Sequence, residues 1–325
     1  MPQTADRTAA VTIESLRAAA RVLDGVAMRT PLLDAPELSD RVGVPVALKC
    51  ELLQPVGAFK IRGAYNALAR LVAGGGARGV VAASSGNHGQ ALAFAARHFG
   101  LRAVVVMPES TPQVKVDGVR RYGGEVVLAG ATRSAEQGAR AEAIAREEGL
   151  AMIPPFDHPD VIAGQGTIGL EILEQRPDVG TILVPVSGGG LISGISVAVA
   201  ALAPAVELVG VEPAGAAKLT AALAAGAPRT LAHTESMADG LLSRSVGALT
   251  FDLMRGVVRR SVTVTEPEIA AAVRYLHHHT ELRPEPSGAV AVAALLAGHV
   301  RPAGPTVAVV SGGNVDPDLY QRLVR

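Results

Sequence analysis

Short runs of Val, Ile and Leu alternate with Ala-rich stretches of helical period from about residue 45 onward. Alternation of this kind builds α/β domains, and a strand reads as an unbroken apolar run when helices cover both faces of a parallel sheet. The pattern predicts strands at Val44–Lys49, Gly79–Ala83, Ala103–Met107, Glu125–Leu128, Thr181–Val186, Glu207–Val211, Ser261–Val264 and Val307–Val310. The segments between them are predicted helices. Three run into glycine, as helices commonly do at their C-termini: Arg62–Ala73 before Gly74, Gly89–Phe99 before Gly100, and Thr132–Glu148 before Gly149. A chain of 325 residues has room for two domains of this type.

Glycine punctuates the pattern where chemistry is expected. Ser84-Ser85-Gly86-Asn87-His88-Gly89, Ser187-Gly188-Gly189-Gly190-Leu191 and Ser311-Gly312-Gly313-Asn314 each follow an apolar strand, and the first two also open a helix. Ligands of open parallel sheets bind at the carboxyl ends of strands, where such loops converge. Ser187 to Gly190 reads as a phosphate cradle, because glycines admit an anion close to the backbone and the following helix offers free N–H groups and a positive dipole end. A tight strand-to-helix turn is the plainer reading. Gly188-x-Gly190-x-x-Ser193 departs by one residue from a dinucleotide fingerprint, and Glu212 stands 22 positions after Gly190, which keeps a nucleotide-dependent dehydrogenase as a remote alternative. In Gln54–Ala64 a loop becomes a helix at about Lys60, where the dipole opposes positive charge. Such a lysine is either solvated or, if desolvated, an amine of lowered pKa suited to forming a Schiff base. Phosphate cradle and reactive amine together point to pyridoxal phosphate (PLP). Ser84 to His88 can bind a carboxylate through N–H groups or simply cap a helix, and Ser311 to Asn314 reads locally as a plain turn.

Charge and composition narrow the partners. Thirty Lys+Arg balance thirty Asp+Glu with no basic run, which leaves no electrostatic footprint for nucleic acid or an anionic membrane. Cys50 is the single cysteine, so neither an intrachain disulfide nor a cysteine metal cage can form, in keeping with a cytoplasmic protein. Residues Pro2 to Arg7 are polar and lack the apolar core of a signal peptide, and the apolar stretch from Leu191 to Val211 is broken by Pro204 and Glu207. His277-His278-His279 cannot converge on one metal ion, since adjacent helical residues point about 100° apart, and reads as a solvated helix face.

Together these loops resemble those of the fold-type II PLP enzymes of the threonine dehydratase and serine racemase family. The likeness runs from Arg29-Thr30-Pro31-Leu32 through Phe59-Lys60-Ile61-Arg62-Gly63-Ala64, Ser84 to His88, Val161 to Thr167 and Gly188 to Leu191 to Ser311 to Asn314. It implies a tryptophan synthase β-like α/β fold of two open, twisted, mostly parallel sheets covered by helices. In that fold, residues 1–68 and 155–325 would form a large cofactor-binding domain and 69–154 a small domain that closes on substrate. By resemblance Lys60 forms the internal aldimine, Phe59 packs on the cofactor ring, Asn87 binds its 3-hydroxyl, Ser187, Gly188, Gly189, Gly190 and Leu191 hold the phosphate, and Ser311 meets the pyridine nitrogen. Ser84, Ser85, Gly86, Asn87 and His88 would bind the substrate carboxylate.

The resemblance implies a cytoplasmic, homodimeric lyase, a threonine/serine dehydratase releasing a 2-oxo acid and ammonia. Alternatives are a serine racemase, or a dehydratase of another 3-hydroxy amino acid such as 3-hydroxyaspartate or phenylserine. Ser85 stands where family racemases carry a catalytic serine, whereas Phe156 matches dehydratases; Val56 and Ala58 replace the threonine and serine of many relatives. The family's divalent-cation site uses a glutamate equivalent to Glu212 and an acidic residue where this chain has Lys218. An ammonium there is expected to replace the metal. By resemblance, neither the C-terminal regulatory domain of isoleucine-controlled relatives beyond the Ser311 loop nor isoleucine feedback is expected.

Overall fold

Two sheets organise the chain, in a computed structural model that describes residues 8–76, 78–132 and 135–325. The larger has six strands in the order β1 (Leu32–Asp34), β2 (Val46–Cys50), β10 (Thr306–Val310), β7 (Thr181–Pro185), β8 (Glu207–Pro213) and β9 (Arg260–Val264). Only β1 runs antiparallel to its neighbour. The smaller sheet is parallel, in the order β5 (Glu125–Leu128), β4 (Arg102–Met107), β3 (Gly79–Ala83) and β6 (Ala151–Met152). The fold is thus the α/β class expected, and all eight predicted strands are present within about two residues at either end. The polar segment at Pro2 to Arg7 lies outside the described residues.

Two strands escape the pattern for a simple reason. β1 and β6 hold three and two residues, too few to show a period. Helices start at Lys60, where the loop-to-helix turn is predicted, at Gly190, directly after the Ser187 loop, and at Asn87, two residues before Gly89, because polar residues there occupy a first turn whose N–H groups need no apolar face. The helix predicted over Thr132–Glu148 begins at Glu136 instead; Arg133 and Ser134 lie outside the described residues.

The core of the large sheet is filled by the helix Pro286–Leu296, buried from Pro286 through Leu295. A second buried helix, Pro159–Gln175, runs between the helices Lys60–Ala73 and Gly190–Leu202. Glycines set that contact: a Cβ on Gly194 would stand 2.6 Å from Gly166 N, and one on Gly164 would overlap the carbonyl of Arg62. The motif from Val161 to Thr167 therefore brings the helix that carries Lys60 against the helix that follows the glycine loop. Among the described residues no helix is long and apolar enough to cross a membrane. The three histidines diverge: His277 Nδ1 meets Tyr320 Oη at 3.0 Å, His278 Nε2 meets Val324 O at 3.3 Å, and the His279 ring stacks on Tyr275 with centroids 4.6 Å apart.

Candidate active site

Lys60 begins its helix as the pattern foresees, and the opposing dipole is offset by a neighbouring carbonyl: Nζ donates to Pro155 O at 2.6 Å. The ammonium also stands 5.1 Å from the centroid of the Phe59 ring. Among the described residues no carboxylate pairs with it, and burial pulls its pKa down to about 8. A neutral amine is therefore accessible close to physiological pH, as an amine nucleophile requires. Two residues along, Arg62 meets the same dipole with full compensation. It binds Glu51 through Nε and Nη2 at 2.8 Å each and Glu171 through Nη1 and Nη2 at 2.6 and 2.9 Å. Lys49 Nζ reaches Glu171 as well, at 2.5 Å.

The loop at Ser311 is not the plain turn it resembles locally. It zips onto the segment before Lys60: Phe59 N donates to Ser311 O at 3.1 Å, Gly313 N to Gly57 O at 2.8 Å, and Asn314 Nδ2 to Val56 O at 2.8 Å. Gly57 is required twice over, by a φ of +70° and because a Cβ would come within 2.6 Å of Asn314 Oδ1. Asn314 Nδ2 also donates to Asn87 Oδ1 at 2.8 Å, which draws in the loop after β3. Three loops remote in sequence are thereby locked together. Ser311 is buried and its hydroxyl makes no hydrogen bond among the described residues.

In the loop after β3, Ser84 Oγ accepts from Gly86 N and Gly89 N at 3.4 and 3.1 Å and so shapes the helix start. A Cβ on Gly86 would meet no atom within 4 Å, so the loop has open space beside it. Ser85 and Gly86 are half-buried on it. The His88 ring turns away to Ile153 O, 2.8 Å from Nε2, and burial together with nearby Lys60 presses its pKa to about 3. The imidazole is neutral and offers no positive charge to a carboxylate in this loop.

After β7 the chain passes Ser187 into Gly188, Gly189 and Gly190, with Gly189 at φ +95° as the N-cap of Gly190–Leu202. A Cβ on Gly188 would overlap the Phe156 ring, one on Gly189 would lie 2.6 Å from Met254 Cε, and one on Gly190 would lie 2.9 Å from Phe156 Cβ. The loop is bare backbone by necessity, at the positive end of a helix whose next residue, Leu191, is buried. Phe156 touches this loop while Pro155 holds Lys60, so amine and cradle are bridged by two consecutive residues.

One residue at this site was missed by reading the sequence. Glu285, buried before the helix Pro286–Leu296, places Oε1 2.6 Å from Asn87 Nδ2. Its signal was an acid just ahead of a Pro-opened and otherwise apolar helix.

A family model described as "Pyridoxal-phosphate dependent enzyme" matches residues 23–312. The chain belongs to this family. L-threonine ammonia-lyase of Thermotoga maritima is 42% identical over 315 residues, spanning 97% of this chain and 78% of the relative. L-threonine ammonia-lyase of Geobacter sulfurreducens is 46% identical over 290 residues, or 89% of this chain and 72% of the relative. The structure of maize serine racemase superposes with a TM-score of 0.92 at 36% identity, covering 97% of both chains.

The residues of this PLP-family site fit the cofactor that the family takes: a side-chain-free cradle at a helix N-terminus for a phosphate, an unpaired buried amine for an aldehyde, and a buried hydroxyl without a partner at Ser311. The dinucleotide alternative falls with the family assignment. Glu212 is committed elsewhere, accepting from Leu219 N at 2.7 Å, from Thr220 N and Oγ1 at 3.0 Å each, and from Ser261 Oγ at 3.2 Å. Lys218 Nζ lies 3.4 Å from Glu212 Oε1 and donates to Ala216 O and Leu241 O at 2.6 and 2.9 Å. One carboxylate and two carbonyls surround this fully buried ammonium.

Proposed function

We propose that this protein is a PLP-dependent hydroxy amino acid dehydratase acting on L-threonine and L-serine. The observation that carries the reading is the bridge at Pro155-Phe156, which joins an unpaired Lys60 amine to a bare glycine cradle. The L-threonine ammonia-lyases at 42% and 46% identity support the choice of substrate. When bound, PLP supplies an aldehyde for amines to condense with and a conjugated ring that withdraws the electron pair left at Cα.

The chain's own residues do the rest. Ser187 to Leu191 would hold the phosphate through N–H groups, Phe59 would pack on the ring, Asn87 would donate to the ring hydroxyl, and Ser311 would face the ring nitrogen. Because Ser311 is neutral it keeps no proton there, which disfavours long storage of the carbanion and favours expulsion of a β-substituent. Backbone N–H groups of Ser84 to His88 bind the substrate carboxylate and fix Cα near Lys60. The Lys60 amine would take the Cα proton and, as the ammonium, could return it to the β-hydroxyl, whose C–O bond breaks as the electron pair from Cα expels it as water; the released enamine would take a proton at Cβ to become an imine, which adds water and loses ammonia to give a 2-oxo acid. Residues 69–154 close over the open space beside Gly86 and keep bulk water from the reacting carbon. The same resemblance supports a homodimer, and the one buried thiol of Cys50 suits a reducing cytoplasm.

Ser85 favours a second reading, a serine racemase, because a hydroxyl in the carboxylate loop can serve the face of Cα opposite Lys60. Phe156 favours the dehydratase. Incubation of the yellow protein with L-threonine, L-serine, 3-hydroxyaspartate and phenylserine, following oxo acid and D-serine together, decides between them. Rapid oxo-acid release from threonine and serine is expected. Dominant D-serine would move the protein to the racemases, release confined to one of the other substrates would reassign its specificity, and a colourless protein that takes up no PLP would sink both readings.

A further inference from the structure

Glu285 is the N-cap of the helix Pro286–Leu296 and is only 4% exposed. Its backbone N–H donates to Gly312 O at 3.0 Å, while Oε1 accepts from Asn87 Nδ2 at 2.6 Å. The other oxygen, Oε2, makes no hydrogen bond among the described residues. Asn87 Oδ1 in turn accepts from Asn314 Nδ2 at 2.8 Å. A carboxamide has one acceptor end and one donor end with two protons. With a donor on Oδ1 and an acceptor on Nδ2, only one orientation satisfies both partners, and one N–H of Asn87 is left over. Gly312 makes room for this arrangement, since a Cβ there would overlap Glu285 Oε1 and stand 3.1 Å from Asn87 Nδ2.

We propose that Glu285 is a positioning residue that acts through Asn87: its buried carboxyl pins the amide so that the spare N–H would face the ring hydroxyl of the cofactor, and a negative charge there would weaken the site's hold on that oxygen. The inference rests on the cofactor reading above. The charged groups facing Glu285 are Asp239, from the turn Asp239–Leu241, and Lys115, from the helix Gln113–Arg121, which are ion-paired with each other. Burial first and Asp239 second push the Glu285 carboxyl up to about 8, against Lys115 and the Asn87 hydrogen bond, so the group keeps its proton at neutral pH. An ionised Glu285 would bind the Asn87 N–H more strongly, as charge-assisted bonds do, and would set negative charge beside an oxygen that is itself electron-rich.

Glu285→Gln copies the neutral acid, whereas Glu285→Ala frees the Asn87 amide to turn. At pH 7 the Gln variant is expected to bind PLP within about threefold of the parent, and the Ala variant about tenfold more weakly, the worth of one buried hydrogen bond. The absorbance of the bound cofactor is expected to change with pH near 8 in the parent and not in the Gln variant. A third readout needs no cofactor. Between the ordinary value of 4.5 and about 8 the folded protein keeps a proton that the unfolded chain has lost, so the cofactor-free parent loses stability as pH rises through that window. Glu285→Gln removes that part of the slope. Equal damage by Gln and Ala at pH 7 would mean that the charge is needed, and an unchanged absorbance transition in the Gln variant would place the titrating group elsewhere; either overturns the proposal. So does a stability slope that survives in Glu285→Gln. Failure of the cofactor reading would show separately, as no uptake by the parent, with the slope still reporting the proton.

Discussion

The first turn of the helix Lys60–Ala73 feeds two buried clusters of ionisable groups with opposite character. Around Arg62, charges are matched: burial alone would raise the Glu51 carboxyl, yet the Arg62 guanidinium outweighs it and holds the group below the usual range. Arg62 itself is raised, since Glu51 and Glu171 overcome its own desolvation. Lys49 is the member of this cluster drawn towards its neutral form, because burial exceeds the attraction of Glu171. Around Lys60 nothing matches: burial depresses the amine and His88, and lifts Glu285, each towards its neutral form. Paired groups hold the helix in place; unpaired groups are left able to change charge. A buried unpaired set costs stability, and its presence beside a bare glycine cradle is what marks the site.

Removing one member from each cluster breaks the comparison most sharply. Lys60→Ala is expected to lower turnover by at least about a thousandfold, as loss of a nucleophile and base does, with stability within about 1 kcal/mol of the parent because only the Pro155 carbonyl loses a partner and no charge is orphaned. Borohydride reduction of the parent should fix the cofactor on Lys60 and leave the variant unlabelled; substantial residual elimination would refute the assigned role. Arg62→Leu should do the converse, costing about 3–5 kcal/mol in denaturant unfolding because Glu51 is left buried without its cation. A variant as stable as the parent would show that the matched cluster does not hold the helix.

The pH dependence sharpens the contrast. Lys60 has a folded pKa near 8 against an ordinary 10.5, so between those values the unfolded chain binds more protons and cofactor-free protein gains stability as pH rises. PLP attachment should accelerate as pH climbs through about 8, when the amine becomes neutral, and then level off. Lys60→Met removes that stability slope. Glu51 slopes the same way in a lower window, but for the opposite reason: its folded pKa is depressed by a favourable partner rather than by burial, so its stabilisation is complete above the ordinary carboxylate pKa and is lost as pH falls through its lower folded value.

Gly188→Ala probes the cradle itself. Its Cβ would overlap the Phe156 ring, and relieving that contact must move either the loop or the ring. We expect a cost of about 1–3 kcal/mol together with weakened PLP binding. Unchanged cofactor affinity would remove the glycine loop from the site.

Lys60 and the glycine loop were legible in the sequence because their chemistry is local: a cation at a helix start, and a strand running into glycines and a helix. The Ser311 loop was not, since its meaning lies in contacts with Gly57, Phe59 and Asn87 that only the fold creates. Glu285 stood 198 residues from the amide it binds, with nothing nearby to distinguish it from an ordinary helix cap. The open space beside Gly86 and the turning away of the His88 ring are likewise tertiary facts. The two short strands failed for the opposite reason, being too brief to carry any pattern.

The smallest expected effect comes from a third buried charge, which is matched within a short stretch of chain. Lys218 places its ammonium among Glu212 Oε1, Ala216 O and Leu241 O, with both side chains fully buried. That set of oxygens is what a hard divalent cation would use, and the ammonium already supplies one positive charge to it. Burial draws the Lys218 pKa down while Glu212 resists, so the pair leans on mutual proximity rather than on solvent. Excess chelator and added Mg²⁺ should each alter turnover by less than about twofold, the margin left to weak surface effects. Strong activation by Mg²⁺ would mean that a cation can displace the ammonium. Lys218→Ala removes the charge and leaves the carboxylate with two carbonyls, and this variant, unlike the parent, should lose stability in chelator and regain it with a divalent ion. Were Lys218→Ala indifferent to both, Glu212 would be satisfied by Leu219, Thr220 and Ser261 alone, and the ammonium would be a passenger at the site.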